Sequence, residues 1–389
     1  MLAVSTPAAF SAVWQQALAL ARNAIDLSNP NPRVGCVIMS HERHVLGQGF
    51  TQQAGGPHAE VMALRDARAK GHPLAGATAY VTLEPCSHHG RTPPCCDALV
   101  EAGIAKVVVA TEDPNPLVAG RGLARLRAAG IEVELLPPES EAALASRELN
   151  IGFFSRMVRG TPWVRMKMAA SLDGTSALNN GASQWITGEA ARTDGHAWRA
   201  RACAVLTGIG TVMEDDPRLD VRLPDTTRQP HLVIVDSALA TPLSARLFEP
   251  APGGLPRQVW IYHAVLDAEK QAALAERGAI PIHMPGADNK VDLAAMLRDL
   301  AQREVNELHV EAGHKLNGSF LREGLVDELL VYLAPKLLGQ GASLSNLGPL
   351  ELLQDGVPLH FASIERVGED LRIVARVQGH DAFLRTPHA

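Results

Sequence analysis

At 389 residues, with 46% hydrophobic and 20% charged positions, the chain is long enough for two or three well-cored domains and too apolar for extended disorder. A formal net charge of −6 gives no basic footprint, which argues against a nucleic-acid partner and for a small molecule. No run approaches the roughly 18 uninterrupted apolar residues of a membrane span. The apolar N-terminal stretch meets Gln15 and Gln16 before its first basic residue, Arg22, which fails a signal-peptide pattern. Five cysteines, three of them clustered, favour a reducing compartment and a metal or catalytic role over a disulfide framework, so a cytoplasmic protein without a membrane partner is expected.

Helical apolar spacing over 11–27 (Val13, Ala17, Leu18, Ala21, Ile25) predicts a first helix, stopped by "NPNP" at 29–32. "VGCVIM" (34–39) reads as a strand, "HAEVMALRDARAKG" (58–71) as a helix, and "ATAYVTL" (77–83) as a buried strand. After the cysteine segment come a helix at "CDALVEAG", a strand at "AKVVVAT", a helix near 120–129 and a strand at "IEVELL". The polar, turn-rich stretch "PPESEAAL" (137–144) precedes a domain boundary placed between 145 and 160, giving domains 1–150 and 151–389. Beyond it the alternation resumes, with strands at "TPWVRMKMAAS", "RACAVLTG", "HLVIVDS", "QVWIYH", "ELHVEAG" and "DELLVYLAP" and helices near 188–200, 266–277 and 291–303. "LHFASIERV" and "DLRIVARV" around Gly-Glu-Asp read as a closing β-hairpin. Strands alternating with helices predict an α/β fold with mostly parallel sheets.

The strongest chemical signal is "HAE" at 58–60 followed by "EPC" at 84–86 and Cys95. A His and two Cys are zinc ligands, and the carboxylate two residues after the His reaches the metal's fourth, water-bearing position without ligating it. The cysteines here enclose "SHHGRTPP", wider than the usual two-residue spacing. Cys95 stands at a helix start, where the dipole favours a thiolate, and is preferred over Cys96 as ligand. Cys36 and Cys203 sit in apolar strands as core residues, and His88 or His89 closing a four-ligand structural zinc is the alternative. In the second half "GIGTVM" (208–213) lacks the third glycine of a dinucleotide loop, whereas "VEAGHKLNGSFL" (310–321) runs strand, glycine turn, helix, whose N-terminal amides suit a phosphate.

"NPNPRVGCVI", "GGPHAEVMAL", "TAYVTLEPCSHHGRTPPCCDALVEAG" and "DPNPLVAGRG" resemble the N-terminal half of the bifunctional riboflavin-biosynthesis deaminase/reductase family. "KMAASLDG", "SQWITG", "GIGTVMEDDPRLDVR", "VEAGHKLNGSF" and "VDELLVYLAPKLLG" resemble its reductase half, in the same order. The resemblance implies a cytidine-deaminase-like three-layer domain followed by a dihydrofolate-reductase-like domain, one Zn2+ and NADPH as cofactors, and a homo-oligomer. It implies His58, Cys86 and Cys95 as zinc ligands, Glu60 as acid/base and Asn31 facing the base. The implied reactions are hydrolytic removal of the 2-amino group from a phosphoribosylamino-diaminopyrimidinone, then reduction of the opened ribose to a ribityl chain. Carried over by motif, the NADPH contacts are Ala169, Trp185, Thr211, Asp215, Ser237 and Gly313, His314, Lys315, Leu316, Asn317, Gly318 and Ser319. The substrate contacts are Ser183, Arg199, Leu219, Arg222 and Glu311. One departure is Thr51, where many relatives are expected to carry histidine.

Arg199 and Arg222 form the one pair suited to a bidentate grip on a ribose phosphate, and Glu311 at a strand end suits sugar hydroxyls. Trp185 is placed to stack on the cofactor, and Lys167 lies near the expected hydride path. His88, His89 and Arg91 are candidate substrate contacts in the widened loop. Two other readings remain: a zinc deaminase of a free base, nucleoside or tRNA, and a structural zinc domain fused to a nucleotide-binding module.

Overall fold

In the computed structural model, which describes residues 12–88 and 93–385, the chain divides at 159/160. Residues up to Arg159, joined by the stretch from Ala382, form one unit, and Gly160–Asp381 form the other. The division falls later than the expected 150/151. The reason is a helix over the boundary segment whose Phe153 and Phe154 are buried within the first unit.

The first unit runs α1 (Ala12–Arg22), β1 (Gly35–Met39), β2 (Val45–Phe50), α2 (Ala59–Ala69), β3 (Thr78–Val81), α3 (Cys95–Glu101), β4 (Lys106–Val109), α4 (Arg121–Ala128), β5 (Glu132–Leu135), α5 (Glu141–Leu149) and α6 (Ile151–Arg159). Its sheet has the order β2-β1-β3-β4-β5. β3, β4 and β5 are parallel, while β1 runs antiparallel to both β2 and β3. Three elements escape the sequence pattern, β2, α5 and the boundary helix α6. β2, "VLGQGF", holds two glycines that lower strand propensity. α5 begins inside the polar, turn-rich stretch ahead of the expected boundary, where Ser140 caps it by accepting the Ala143 amide.

Those β2 glycines are what α2 needs. Gly47 and Gly49 lie two apart, on one strand face, and α2 presents Ala59, Ala63 and Ala67, all fully buried, one turn apart. A Cβ on Gly47 would lie 2.2 Å from the Ala63 carbonyl oxygen, and one on Gly49 2.5 Å from the Ala63 nitrogen. Helix and strand backbones therefore touch directly. α1 is seated on β1 the same way, where a Cβ on Gly35 would lie 1.9 Å from the Ala17 oxygen.

The second unit runs β6 (Trp163–Ser171), β7 (Thr175–Leu178), α7 (Glu189–Arg201), β8 (Ala204–Gly208), α8 (Ile209–Asp215), β9 (His231–Val235), β10 (Val259–His263), α9 (Ala268–Glu276), β11 (Ala279–His283), α10 (Leu293–Gln302), β12 (Glu307–Val310), α11 (His314–Arg322), β13 (Glu328–Ala334), β14 (Gly341–Ser343), β15 (Leu359–Val367) and β16 (Asp370–Val377). Its main sheet has the order β11-β10-β9-β8-β12-β6-β13-β16-β15. The strands from β11 to β13 are parallel, and the closing hairpin adds β16 and β15 antiparallel. The apolar core gathers Met166, Leu206, Trp260, Leu300 and Phe320. Across the sheet the buried Arg165 pairs with both Glu307 and Glu328, which in turn bind Arg201 and Arg376. Each buried charge is thereby paired, the condition under which burial is tolerated. Among the described residues no helix is long and apolar enough to cross a membrane.

Gly49→Val should lower folding stability by about 1–3 kcal/mol through overpacking against α2, read as a shift in the urea midpoint. An unchanged midpoint would show that α2 is not seated on the strand backbone.

Candidate active sites

His58 is the N-cap of α2 and Glu60 lies in its first turn, so seating α2 on β2 fixes both. The Cys86 and Cys95 sulfurs lie 3.7 and 3.3 Å from His58 Nδ1, and the three donor atoms are mutually within 4.8 Å. Donors around one tetrahedral Zn2+, at bonds of about 2.0–2.3 Å, stand roughly 3.5–3.8 Å apart. The nitrogen and two sulfurs therefore fit one such ion. The Cys95 amide donates to Cys86 Sγ at 3.3 Å. A hydrogen bond from the Cys95 thiol pulls Cys86 well below the ordinary thiol range, and the same contact, with burial, holds Cys95 well above it. Glu60 is buried at 3% exposure. That burial, with the Cys86 charge nearby, pushes its carboxyl up, which suits a group that takes and returns a proton.

Cys96 is turned away from this cluster. Its sulfur donates to the Pro85 and Gly122 carbonyls at 3.4 and 3.5 Å, and burial first, then Glu60, pushes the thiol up to about 12. Cys36 is buried in β1, as its strand pattern predicts, and Cys203 is buried just ahead of β8 rather than within it. His88 is exposed and outside the donor cluster, whereas His89 and Arg91 lie outside the described residues.

One supporting residue is missed by motif reading. Glu84 is buried beside Cys86, and its carboxylate accepts the amides of Asp113, Gly120, Gly122 and Leu123 at 2.8–3.2 Å. It clamps the "DPNPLVAGRG" loop against the cysteine segment. A Cβ on Gly122 would lie 2.0 Å from the Pro85 oxygen, and that glycine was the available signal. Thr51 is buried, accepts the Val34 amide on Oγ1 at 3.2 Å and donates its own amide to Val34 O. It closes the β1–β2 end. Asn31 has its backbone tied to Ser28 on both sides. A cleft of about 560 Å3 lined by Leu27, Gln52, Gln53 and Met62 opens beside the residues flanking His58.

In the second unit the parallel strands bring their C-terminal ends to one edge, where α/β sheets bind ligands. Gly208 and Gly313 there are the N-caps of α8 and α11. A Cβ on Gly208 would lie 3.0 Å from Leu316 Cδ2, so the two turns are neighbours. Ala169 lies near the end of β6, Thr211 and Asp215 on α8, and Ser237 just after β9. Gln184, next to the half-buried Ser183, donates to Asp215 at 3.4 Å. Trp185 is 65% exposed with Arg192 stacked 4.7 Å from its ring, so it is not a core residue.

Several predicted contacts are placed otherwise than the sequence suggests. Segment 313–319 is the N-cap and first turns of α11, as its strand, glycine turn, helix pattern predicts, but not all of it is open to a ligand. Within it Asn317 is buried and donates to Leu344 O, and a Cβ on Gly318 would lie 2.0 Å from Asn346 O. These two hold the 344–347 segment, which leaves Gly313–Lys315 as the open amides. Arg199 and Arg222 do not form an open double grip. Arg199 is closed bidentately on Glu311, at 2.7 and 2.9 Å, and donates to Asp220 O. Arg222 is exposed and bonded to Asp220. Glu311 is held well below the usual carboxylate range by Arg199, against the opposing effect of burial. Leu219 is a core side chain with φ of 54°, a left-handed conformation uncommon for leucine. Lys167 is half-buried on β6.

Two family models match the chain: the cytidine and deoxycytidylate deaminase zinc-binding region over 9–111, and the RibD C-terminal domain over 162–373. The chain is 44% identical to the riboflavin biosynthesis protein RibD of Escherichia coli K12, over 92% of this chain and 96% of that one. It is 42% identical to RibD of Aquifex aeolicus, over 92% and 95%. Acinetobacter baumannii RibD is a structural neighbour at TM-score 0.82 and 41% identity, covering 94% of this chain and 98% of that one. The diaminohydroxyphosphoribosylaminopyrimidine deaminase/5-amino-6-(5-phosphoribosylamino)uracil reductase of Thermotoga maritima superposes at TM-score 0.81 with 32% identity, covering 94% and 97%. The fold class is accordingly the expected one, a cytidine-deaminase-like domain followed by a dihydrofolate-reductase-like domain.

Cys95→Ala should abolish stoichiometric zinc, whereas Cys96→Ala should retain it, measured by atomic absorption on the purified proteins. The reverse pattern would exchange the roles of the two thiols.

Proposed function

The chain belongs to the RibD family of bifunctional deaminase/reductases of riboflavin biosynthesis, and from that premise we propose which of its residues carry each reaction. The proposed substrate is the one the Thermotoga relative is described by. The first unit deaminates 2,5-diamino-6-(5-phosphoribosylamino)pyrimidin-4(3H)-one, and the second reduces the ribosyl of 5-amino-6-(5-phosphoribosylamino)uracil. Zinc, when bound, supplies a Lewis acid that activates water, and NADPH supplies the hydride.

The observation that carries the first assignment is the meeting of His58, Cys86 and Cys95 beside a buried Glu60. The three side chains hold the metal, and Glu60 moves the proton from water to the pyrimidine and on to the departing amine. Burial keeps its protonated form accessible, so it can serve as base and then as acid. Thr51 has a backbone-closing role here, so base recognition falls to the cleft by Gln52 and Gln53 and to Asn31.

In the second unit the N-terminal amides of α11 at Gly313–Lys315 support coenzyme phosphate binding, with Ala169, Trp185, Thr211, Asp215 and Ser237 around them. Glu311 faces sugar hydroxyls while its ion pair with Arg199 fixes its orientation. Arg222, with its side chain 55% exposed, is the cation available to the ribose phosphate. Ser183 and the backbone at Leu219, whose side chain is in the core, complete the substrate wall. Five free cysteines support a reducing, cytoplasmic location. β15 is an edge strand with Phe361 67% and Ile364 55% exposed, which supports a homo-oligomer that covers it.

Glu60→Gln should keep its zinc while ammonia release falls about 10²–10⁴-fold; a variant that retains both would make the site structural. Glu311→Ala should slow NADPH oxidation at least about tenfold, the scale of one charged hydrogen bond, and leave ammonia release unchanged. Equal loss of both activities would overturn the assignment of separate sites.

A further inference from the structure

Where the sheet's C-terminal edge continues past Ser237, two histidines end adjacent strands. His263 of β10 is in register with His283 of β11, and their ring centroids are 5.4 Å apart. His263 is fully buried, and its Nδ1 lies 2.9 Å from the Val265 carbonyl oxygen. A carbonyl only accepts, so Nδ1 carries the proton. That leaves Nε2, which is buried and has no hydrogen-bond partner. His283 is exposed. A buried imidazole nitrogen without a partner costs free energy unless something else satisfies it.

Ser237 is held in the same corner. Its carbonyl accepts the Ala264 amide at 3.0 Å, and its Oγ accepts the Val291 amide at 3.2 Å, so its hydroxyl hydrogen remains to donate. The acidic residue that would mark an NADH site by binding a ribose 2′-hydroxyl has a candidate here, Asp236. It is already committed: its carboxylate accepts the Ala240 amide and both the amide and hydroxyl of Thr241. β9, β10 and β11 lie about two, three and four strand spacings, roughly 10–19 Å, from β12 and the Gly313 turn. A dinucleotide with its pyrophosphate at that turn would carry its adenosine ribose toward this corner.

We infer that His263, His283 and Ser237 form the subsite that receives the 2′-phosphate of NADPH, and that this pair of histidines sets the preference for NADPH over NADH. This rests on NADPH being the second unit's coenzyme. The phosphate dianion favours the charged imidazolium at His263, against the burial that holds that imidazole below its ordinary value, and in that form Nε2 donates to the phosphate beside the exposed His283. Ser237 donates its hydroxyl to the same group.

Calorimetric titration of the full-length protein with adenosine 2′,5′-bisphosphate and with 5′-AMP tests this without turnover. His283→Ala and His263→Gln should each weaken the bisphosphate about tenfold, one charged hydrogen bond, and leave 5′-AMP unchanged. The Kd for NADPH should rise in the same proportion while that for NADH stays put. Equal weakening of both nucleotides, or no change in either variant, overturns the subsite. A wild-type protein that binds neither NADPH nor the bisphosphate would overturn the coenzyme reading as well. Should His263→Gln unfold, shown by its thermal melt, the exposed His283→Ala decides alone.

Discussion

Backbone contact between α2 and β2 is the constraint from which the deaminase geometry follows. A helix that packs through side chains can slide by tenths of an ångström as those side chains change rotamer. One that rests its alanines on glycines has no such slack, because main-chain atoms on both sides are already at contact. His58 and Glu60 lie at the start of that helix, so their distance from the cysteines is inherited from the packing. The glycines are a poor choice for a strand taken alone, and they make sense only once the helix is laid over them.

The cysteine side is held by a different device. Glu84 gathers two amides from the 113–120 loop and two from the first turn of α4, and Cys96 adds contacts to the Pro85 and Gly122 carbonyls. A carboxylate among converging amides is stabilised where an isolated buried charge would not be. Its position two residues before Cys86 ties the ligand loop to the 113–122 loop. Adjacent thiols thus divide their tasks by direction: Cys95 faces His58, and Cys96 faces the carbonyls that fix the loop.

Legibility in the sequence followed the range of the interaction. Period and propensity exposed most strands and helices of both units, and ligand chemistry singled out His58, Glu60, Cys86 and Cys95, because those signals are local. β2 was lost because its glycines serve a helix that comes later in the chain. α5 was lost because a cap and a polar face look like a turn-rich stretch. Pairings over long separations were the least readable. Arg199 and Glu311 each look like a substrate contact in isolation, yet 112 residues apart they close on one another. Asn317 and Gly318 look like phosphate-loop residues, and they are spent on the 344–347 segment.

The same logic explains why the reductase half tolerates so much buried charge. Arg165 lies between Glu307 and Glu328, and each carboxylate carries a second arginine, so the ladder β16-β13-β6-β12 alternates in sign. Trp198 of α7 is faced by Arg165, Arg201 and Arg372, and Asp194 of that helix accepts from Tyr332 and Arg372. Only Ala191 and Ala200 of α7 are buried, so polar geometry mounts this helix on the sheet. Directional contacts fix rotation as well as distance, and Arg199 is on the same helix. An apolar interface would hold α7 as firmly but would leave its rotation, and with it the bidentate orientation of Glu311, less determined.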